Sequence, residues 1–246
     1  MKPPVVSIIT VIFNNQDHLR RTMESVRAQT YRHIEYIVVD GGSTDGTREF
    51  IEAYNDQIDR WVSEPDKGIY DAMNKGLRMA TGDFVWFMNA GDLVYAPETV
   101  AQLMERHRGE DILYGDTVLI NEQFEVTGER SHKALPERLR LRSMRLGMVV
   151  CHQALLVRRT IAPEFDLGHP IAADIDWTIR ALKQSENTLN SRLILTRFLE
   201  GGFSHQNKWA SWKDRFRILR KHFGLGATLL AHAEITLRAL GRKFGV

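Results

Sequence analysis

One cysteine, Cys151, stands in 246 residues, so the chain can form no internal disulfide and carries no CxxC pair for redox or zinc chemistry. That usage fits a reduced thiol in a cytosolic protein. A secretory leader is missing: Met1-Lys2-Pro3-Pro4 runs directly into a strand-like segment, with no charged-then-apolar stretch, so export is not expected. A membrane-spanning run is missing as well. The late apolar segment Leu225 to Leu240 is interrupted by His232, Glu234 and Arg238 and suits an interface at most. Repeats, low-complexity stretches and long linkers do not occur, which excludes solenoids and arrays. Neither GxGxxG nor GxxxxGK(S/T) is present, which argues against a dinucleotide cofactor and against a P-loop.

What remains is ordinary in amount and uneven in placement. Hydrophobic residues make up 43 % and charged residues 26 %, as in a soluble globular protein, and the length suits one large domain or one domain with an appendage. The net charge is +2, yet from Gln206 onward nine basic residues face only Asp214 and Glu234. That makes the tail +7 and the preceding body −5. A basic tail on an acidic body suits a polyanionic surface such as a membrane leaflet, and a solvated, salt-laced helix face accounts for it equally well. No nucleic-acid reader motif accompanies it, so nucleic acid is not an expected partner.

The first half alternates strand-like and helix-like segments. Val5 to Ile12 is a β-branched apolar run of the kind buried on both faces of a parallel sheet. Gln16 to Gln29 has helical spacing, Glu35 to Asp40 is a second strand, and Ser43 is placed to cap a helix with Asp45 in its first turn. Arg60 to Ser63, Ile69 to Ala80 and Phe84 to Met88 continue the pattern as strand, helix and strand. Short loops in this order predict an open, mostly parallel sheet covered by helices. The second half is less regular. Helices are expected at Pro97 to Arg108 and Ala173 to Lys183, and strands at Asp111 to Ile120, His152 to Val157 and Leu193 to Leu199. Arg138 to Leu146 alternates basic and apolar residues, as an amphipathic strand or as a loop lying against lipid or acceptor.

Ligands of open α/β sheets bind at the carboxyl ends of the strands. Here those ends read Phe13-Asn14-Asn15, Asp40 to Asp45, Glu64 to Gly68 and Asn89-Ala90-Gly91-Asp92. Any one of them is ordinary turn chemistry, but all four lie on one edge. With no phosphate-binding glycine loop, a divalent cation held by a carboxylate is the natural device for a diphosphate, and Asp92 after a buried strand is its candidate ligand.

Val6 to Thr10, Val38 to Thr47, Glu64 to Gly76 and Phe87 to Asp92 resemble, in order and spacing, the serial motifs of family 2 glycosyltransferases. The nearest likeness is to bacterial exopolysaccharide enzymes of the colanic-acid type, which also show a His-Gln before a strand (His152-Gln153) and a Gly-Gly-x-Ser (Gly201 to Ser204). The resemblance implies a GT-A fold, with residues 1–205 as the transferase domain and 206–246 as basic amphipathic C-terminal helices. Within the domain, 1–92 would bind the nucleotide-sugar and 93–205 the acceptor. It places Thr10, Asn14 and Asp40 around the base and ribose, and Asp66, Asn74, Lys75 and Asn89 along the rest of the donor. Asp92 matches the last aspartate of the metal-binding element, with Mn2+ or Mg2+ as the cofactor. Asn89 and Gly91 stand where many members carry aspartates, which implies weaker metal affinity.

Inversion at the anomeric carbon requires a base for the acceptor hydroxyl. In Ala173 to Trp177 the resemblance matches that base to Asp174, leaving Asp176 as a helix-surface or supporting group; a carboxylate that only satisfies the helix start is the alternative. His205 is a candidate metal ligand, but a surface or loop histidine is the favoured alternative, because imidazole suits Mg2+ less than oxygen does. His152 is a candidate acceptor contact, with simple packing beside Cys151 as the alternative. Core packing is the default for Trp177, Trp209 and Trp212, with stacking on sugar or a membrane interface as alternatives. The function implied is transfer of a sugar from a nucleotide diphosphate-sugar to an acceptor hydroxyl, such as that of a lipid-linked saccharide in exopolysaccharide or other cell-surface polysaccharide synthesis. The expected location is the cytoplasm, peripheral on the inner face of the cytoplasmic membrane. The competing class is a degenerate GT-A domain that binds nucleotide-sugar without turnover. A nucleotidyltransferase is disfavoured because Phe13 to Gln16 is not a Gly-rich, Arg-containing loop.

Overall fold

The structure, a computed structural model, describes residues 2–129, 135–201 and 208–243. The first β-branched run forms β1 (Val6–Ile12), buried along its whole length. It pairs in parallel with β2 (Ile34–Asp40) on one side and with β4 (Phe84–Phe87) on the other, and β2 pairs in parallel with β3 (Arg60–Ser63). The connecting helices are α1 (Gln16–Arg27), α2 (Thr47–Ala53) and α3 (Ile69–Met79). One local expectation changes. Ser43 does not cap α2: Asp45 accepts from the Thr47 N–H and hydroxyl, while Ser43 donates to Asp40.

The second half adds β5 (Leu93–Val94), α4 (Thr99–Arg106), β6 (Ile112–Ile120), β7 (Val126–Glu129), β8 (Leu155–Arg158), α5 (Ala173–Gln184) and β9 (Thr188–Leu199). The strand order is β3-β2-β1-β4-β8-β6-β9-β5, with β7 paired to β6 off that path. The sheet is parallel through β3-β2-β1-β4. Beyond that it is mixed, because β8 runs antiparallel to both β4 and β6 while β6 and β9 are parallel. The strand expected from His152 starts only at Leu155, since His152–Ala154 is a 3-10 turn. The basic-apolar stretch at 138–146 is neither strand nor open loop. Leu141–Leu146 coils into 3-10 turns that bury Met144 and leave Arg142 and Arg145 exposed.

Helices cover both faces of the sheet, the layered solution that buries two apolar surfaces at once. Leu19 and Met23 of α1, Ile51 of α2 and Leu103 of α4 pack with Ile8, Tyr36 and Trp86. On the other face Met73 of α3 and Trp177 of α5 pack with Ile9, Val39 and Phe87. Each such large side chain contributes about 1.5–3 kcal/mol on burial. Helix α3 lies very close to β1: a Cβ on Gly76 would collide with Ile9 Cγ2, so this contact requires glycine.

Two further helices, α6 (Lys208–Phe223) and α7 (Leu225–Lys243), pack on each other as a hairpin. The expected division after residue 205 is not a break in packing. Ile218 and Leu219 of α6 are fully buried in the core that holds Trp177. Asp214 of α6 accepts from the N–H groups of Ile171 and Ala172 and so holds the segment that leads into α5. Trp177 is core, as expected, but Trp209 and Trp212 are exposed, because the inward face of α6 is supplied by other residues.

Candidate functional site

The loops at the carboxyl ends of β1, β2 and β3 are tied into one unit. Asn14 takes a left-handed backbone conformation (φ 50°), which asparagine tolerates better than most residues. From there its N–H donates to Ser43 Oγ at 2.7 Å and its Oδ1 accepts from the Thr44 N–H at 2.8 Å. Asp40 is the hub beneath, accepting from the Ser43 hydroxyl and N–H and from Ser63 Oγ at 2.6 Å. Gly41 has Phe13 and Asp66 as neighbours, and a Cβ there would collide with Asp66 Oδ2. Phe13 is 63 % exposed, an uncommitted aromatic face at this edge. Lys75 holds the back of the third loop, donating to the Pro65 carbonyl at 2.8 Å and pairing with Glu64 at 3.0 Å. Asp66 Oδ1 accepts from the Gly68 N–H in the same loop.

Of the donor contacts expected here, Asn14 and Asp66 reach the edge, whereas three others have different tasks. Thr10 is fully buried and accepts from the Tyr36 hydroxyl, because it lies within β1 and not beyond it. Asp40 is also fully buried, with its oxygens committed to shaping the loops. Asn74 is buried on α3, its amide donating to the Phe165 carbonyl and accepting from the Phe165 N–H, so it clamps the two halves of the chain together.

The fourth loop contains the candidate metal ligands. Asn89 Oδ1 is buried without a hydrogen-bond partner, an acceptor waiting for a donor or a cation. Asp92 is buried, and burial pushes its pKa up to about 7 against hydrogen bonds from the Leu199 N–H, at 2.9 Å, and from the Gln153 side chain. Oxygen donors of this kind suit Mn2+ or Mg2+, and two of them leave most of the coordination to substrate phosphate and water. His205 lies outside the described residues. Among those residues, Asp166, His169 and Asp176 also cluster closely enough to hold an ion. There, however, the Lys221 ammonium already sits 3.0 Å from Asp166 and 3.1 Å from Asp176. That cluster is an ion-pair lock between α5 and α6.

Asp174 lies in the first turn of α5, half-buried, with Oδ1 3.4 Å from the Tyr70 hydroxyl. Tyr70 also donates to the Ile171 carbonyl at 2.9 Å, so a residue just after the loop that follows β3 fixes the segment entering α5. Burial raises the Asp174 pKa, opposed by hydrogen bonds from the backbone and Tyr70 and by the nearby Arg215 guanidinium. Arg215 comes from α6, and its buried Nε has no hydrogen-bond partner. Asp176 is not on the helix surface. It is wholly buried, 2.6 Å from Arg180, 3.1 Å from Lys221 and 2.7 Å from the His222 ring; burial works to raise its pKa, but hydrogen bonds from His222, Arg180 and Lys221 hold it well below the carboxylate range. His152 is packed among aromatic rings. It stacks on Phe87 at 5.4 Å and meets Trp177 and Phe165 edge-on, and burial lowers its pKa to about 4. Sequence reasoning did not single out Phe13, Tyr70, Gln153 or Arg215; Phe13 stands at a strand end and Tyr70 and Gln153 lie within the motifs, while Arg215 carried no signal.

The description "Glycosyl transferase family 2" matches residues 7–164, well over half of the chain and all four polar strand ends. The chain belongs to glycosyltransferase family 2. An "uncharacterized glycosyltransferase" of Mycobacterium tuberculosis is 34 % identical to this transferase, over 98 % of this chain and 92 % of its own length. A "PGL/p-HBAD biosynthesis glycosyltransferase" of Mycobacterium bovis is 32 % identical over 73 % of this chain and 70 % of the relative. Among solved structures, S. aureus TarS (1–349) with UDP superposes with a TM-score of 0.66 at 18 % identity, covering 89 % of this chain and 65 % of that one. This transferase spans 38 % of the longer TarS chain. The mannosyltransferase PcManGT of Pyrobaculum calidifontis, in complex with GDP-Man and Mn2+, gives 0.63 at 16 % identity, covering 98 % of this chain and 80 % of that one. At those identities the structural likeness establishes the shared GT-A fold. No described helix is long and apolar enough to cross a membrane.

Proposed function

We propose that this transferase moves a sugar from a nucleoside diphosphate-sugar to an acceptor hydroxyl in a single inverting displacement, with Asp174 as general base. The observation that carries the reading is the position of Asp174, joined through Tyr70 to the donor-side loop and set beside Arg215. As the acceptor oxygen bonds to the anomeric carbon, its proton passes to the Asp174 carboxylate. The bond from that carbon to the phosphate oxygen breaks, and the nucleoside diphosphate leaves. Phe13 offers its ring to the nucleobase, while Asn14 and Asp66 offer polar atoms at the same edge. Asn89 and Asp92 would hold a Mn2+ or Mg2+ ion together with the donor's diphosphate. Such an ion, when bound, offsets negative charge on the departing group.

The acceptor in this reading is a lipid-linked saccharide at the cytoplasmic face of the membrane, used in exopolysaccharide or another cell-surface polysaccharide. Motif likeness to the colanic-acid type and the basic tail support it. Purified protein given UDP-, GDP- and dTDP-sugars with Mn2+ should be stabilised by one nucleotide and should slowly release that nucleoside diphosphate. A thermal shift with no release favours the non-turnover GT-A alternative and overturns the reading. Retained anomeric configuration in the product removes the single displacement.

Asp92 gives a separate prediction. Its folded pKa is raised above the unfolded value of about 4, so ionisation favours the unfolded chain. Stability contributed by this group is present below about pH 4 and is lost as pH rises through about 7. Mn2+ should therefore raise the wild-type melting temperature most at pH 8. Asp92→Asn should lose both that response and its share of the pH-dependent fall. Equal Mn2+ stabilisation in the variant places the ion elsewhere.

A further inference from the structure

Helix α6 has two faces with separate tasks. Asp214 and Ile218 point inward, the first holding the segment that enters α5 and the second filling the core. The opposite face carries Trp209, Lys213, Arg217 and Arg220, all exposed. Trp209 is 80 % exposed, the highest value for any large hydrophobic side chain among the described residues. Beside it Trp212 and Phe216 stack at 6.0 Å and, with Lys213 and Arg217, line a shallow groove of about 200 Å³.

Helix α7 continues this surface. Thr228, Ala231 and His232 are buried, while Leu225, Leu229, Leu230 and Leu237 face out, the last two 72 % and 69 % exposed. The His232 ring meets Trp212 edge-on at 5.2 Å, which joins the leucine face to the tryptophan face. The 3-10 turn at Leu141–Leu146 packs against α7 and adds exposed Arg142 and Arg145. An apolar surface of this extent has a partner. Charge decides which one. The rim is basic, and the chain from Gln206 onward is +7 on a body of −5. A second copy would set these cations against each other. Tryptophan, leucine and basic side chains on one face match the headgroup region of an anionic leaflet.

We propose that the outer face of the α6–α7 hairpin docks on an anionic lipid bilayer, with Trp209 and the α7 leucines in the interface and Lys213, Arg217 and Arg220 on the headgroups. Because the inner face of α6 holds the segment that enters α5, docking sets Asp174 at a fixed height above the lipid. The purpose of docking rests on the proposed lipid-linked acceptor. Lipid binding is measured without turnover, so the two readings can fail separately.

The test is flotation of the full chain with phosphatidylcholine vesicles, with and without phosphatidylglycerol. Binding is expected only with the anionic lipid, and brominated acyl chains should quench emission that is lost in Trp209→Phe/Trp212→Phe. Lys213→Gln/Arg217→Gln/Arg220→Gln should weaken partitioning about a hundredfold, at about fivefold per charge, with melting temperature and donor hydrolysis unchanged. The proposal is overturned by no flotation, by equal flotation on neutral vesicles, or by unquenched tryptophan. It is also overturned by a stable dimer that Leu230→Glu/Leu237→Glu makes monomeric, since the face then belongs to a second copy.

Discussion

Asp174→Asn lowers turnover by about 10²–10⁴-fold, the range for loss of a positioned general base, while nucleotide binding and folding persist. The amide keeps the shape of the carboxylate and can still meet the Tyr70 hydroxyl 3.4 Å away, so the loss falls on proton transfer. A base must be ionised to act, and burial raises the Asp174 pKa, so kcat/KM should rise with pH along a limb displaced above the ordinary carboxylate range. Arg215 opposes that displacement, so Arg215→Gln should push the limb further up while Arg215→Lys restores it in part. Single-turnover rates across pH measure both effects. Turnover close to wild type in Asp174→Asn would give the aspartate back to the helix start and remove the mechanism.

The second large effect is on stability. Asp176→Asn removes the carboxylate, itself without solvent access, that meets Arg180, Lys221 and His222, whose side chains are 28 %, 46 % and 5 % exposed. Breaking a buried ion pair from one side costs about 3–5 kcal/mol, and the partial exposure of Arg180 and Lys221 puts this network at the lower end. For a chain of this size that is a fall in melting temperature on the order of 10 °C. The sign with pH follows from the lowered pKa of Asp176. Its contribution is present at pH values above its unfolded pKa of about 4 and is lost as pH falls further. The gap between wild type and variant in thermal melts should therefore be wide at neutral pH and close in acid. A constant gap down to strong acid, or none at neutral pH, means the network does not hold α5 to α6.

These two aspartates show how far the sequence could be read. They are two residues apart in one helix, and only resemblance to a family separated them. The resemblance matches Asp174 to the base and leaves Asp176 as a surface or supporting group, because two of its three partners, Lys221 and His222, lie 45 and 46 positions away in α6. The strands and helices of the first half were legible because parallel strands buried on both faces are continuous apolar runs, and their turns are rich in glycine and aspartate. The polar residues on or behind those strands were not. Thr10, Asp40 and Asn74 look like ligand contacts in a string of letters, and the bonds that occupy them come from Tyr36, Ser63 and Phe165. The tail misled in a similar way. Its basic composition advertises the outward face of α6, while the few residues that make it part of the core, Asp214, Ile218 and Leu219, carry no periodicity strong enough to stand out.

The bonds that Asp214 makes to the residues entering α5 tie together two distant stretches of chain. The backbone donors at Ile171 and Ala172 are synthesised 42 or more positions before the carboxylate that accepts from them. On a growing chain the segment leading into α5 therefore lacks this partner, and Asp176 lacks Lys221 and His222, until nearly the last helix is made.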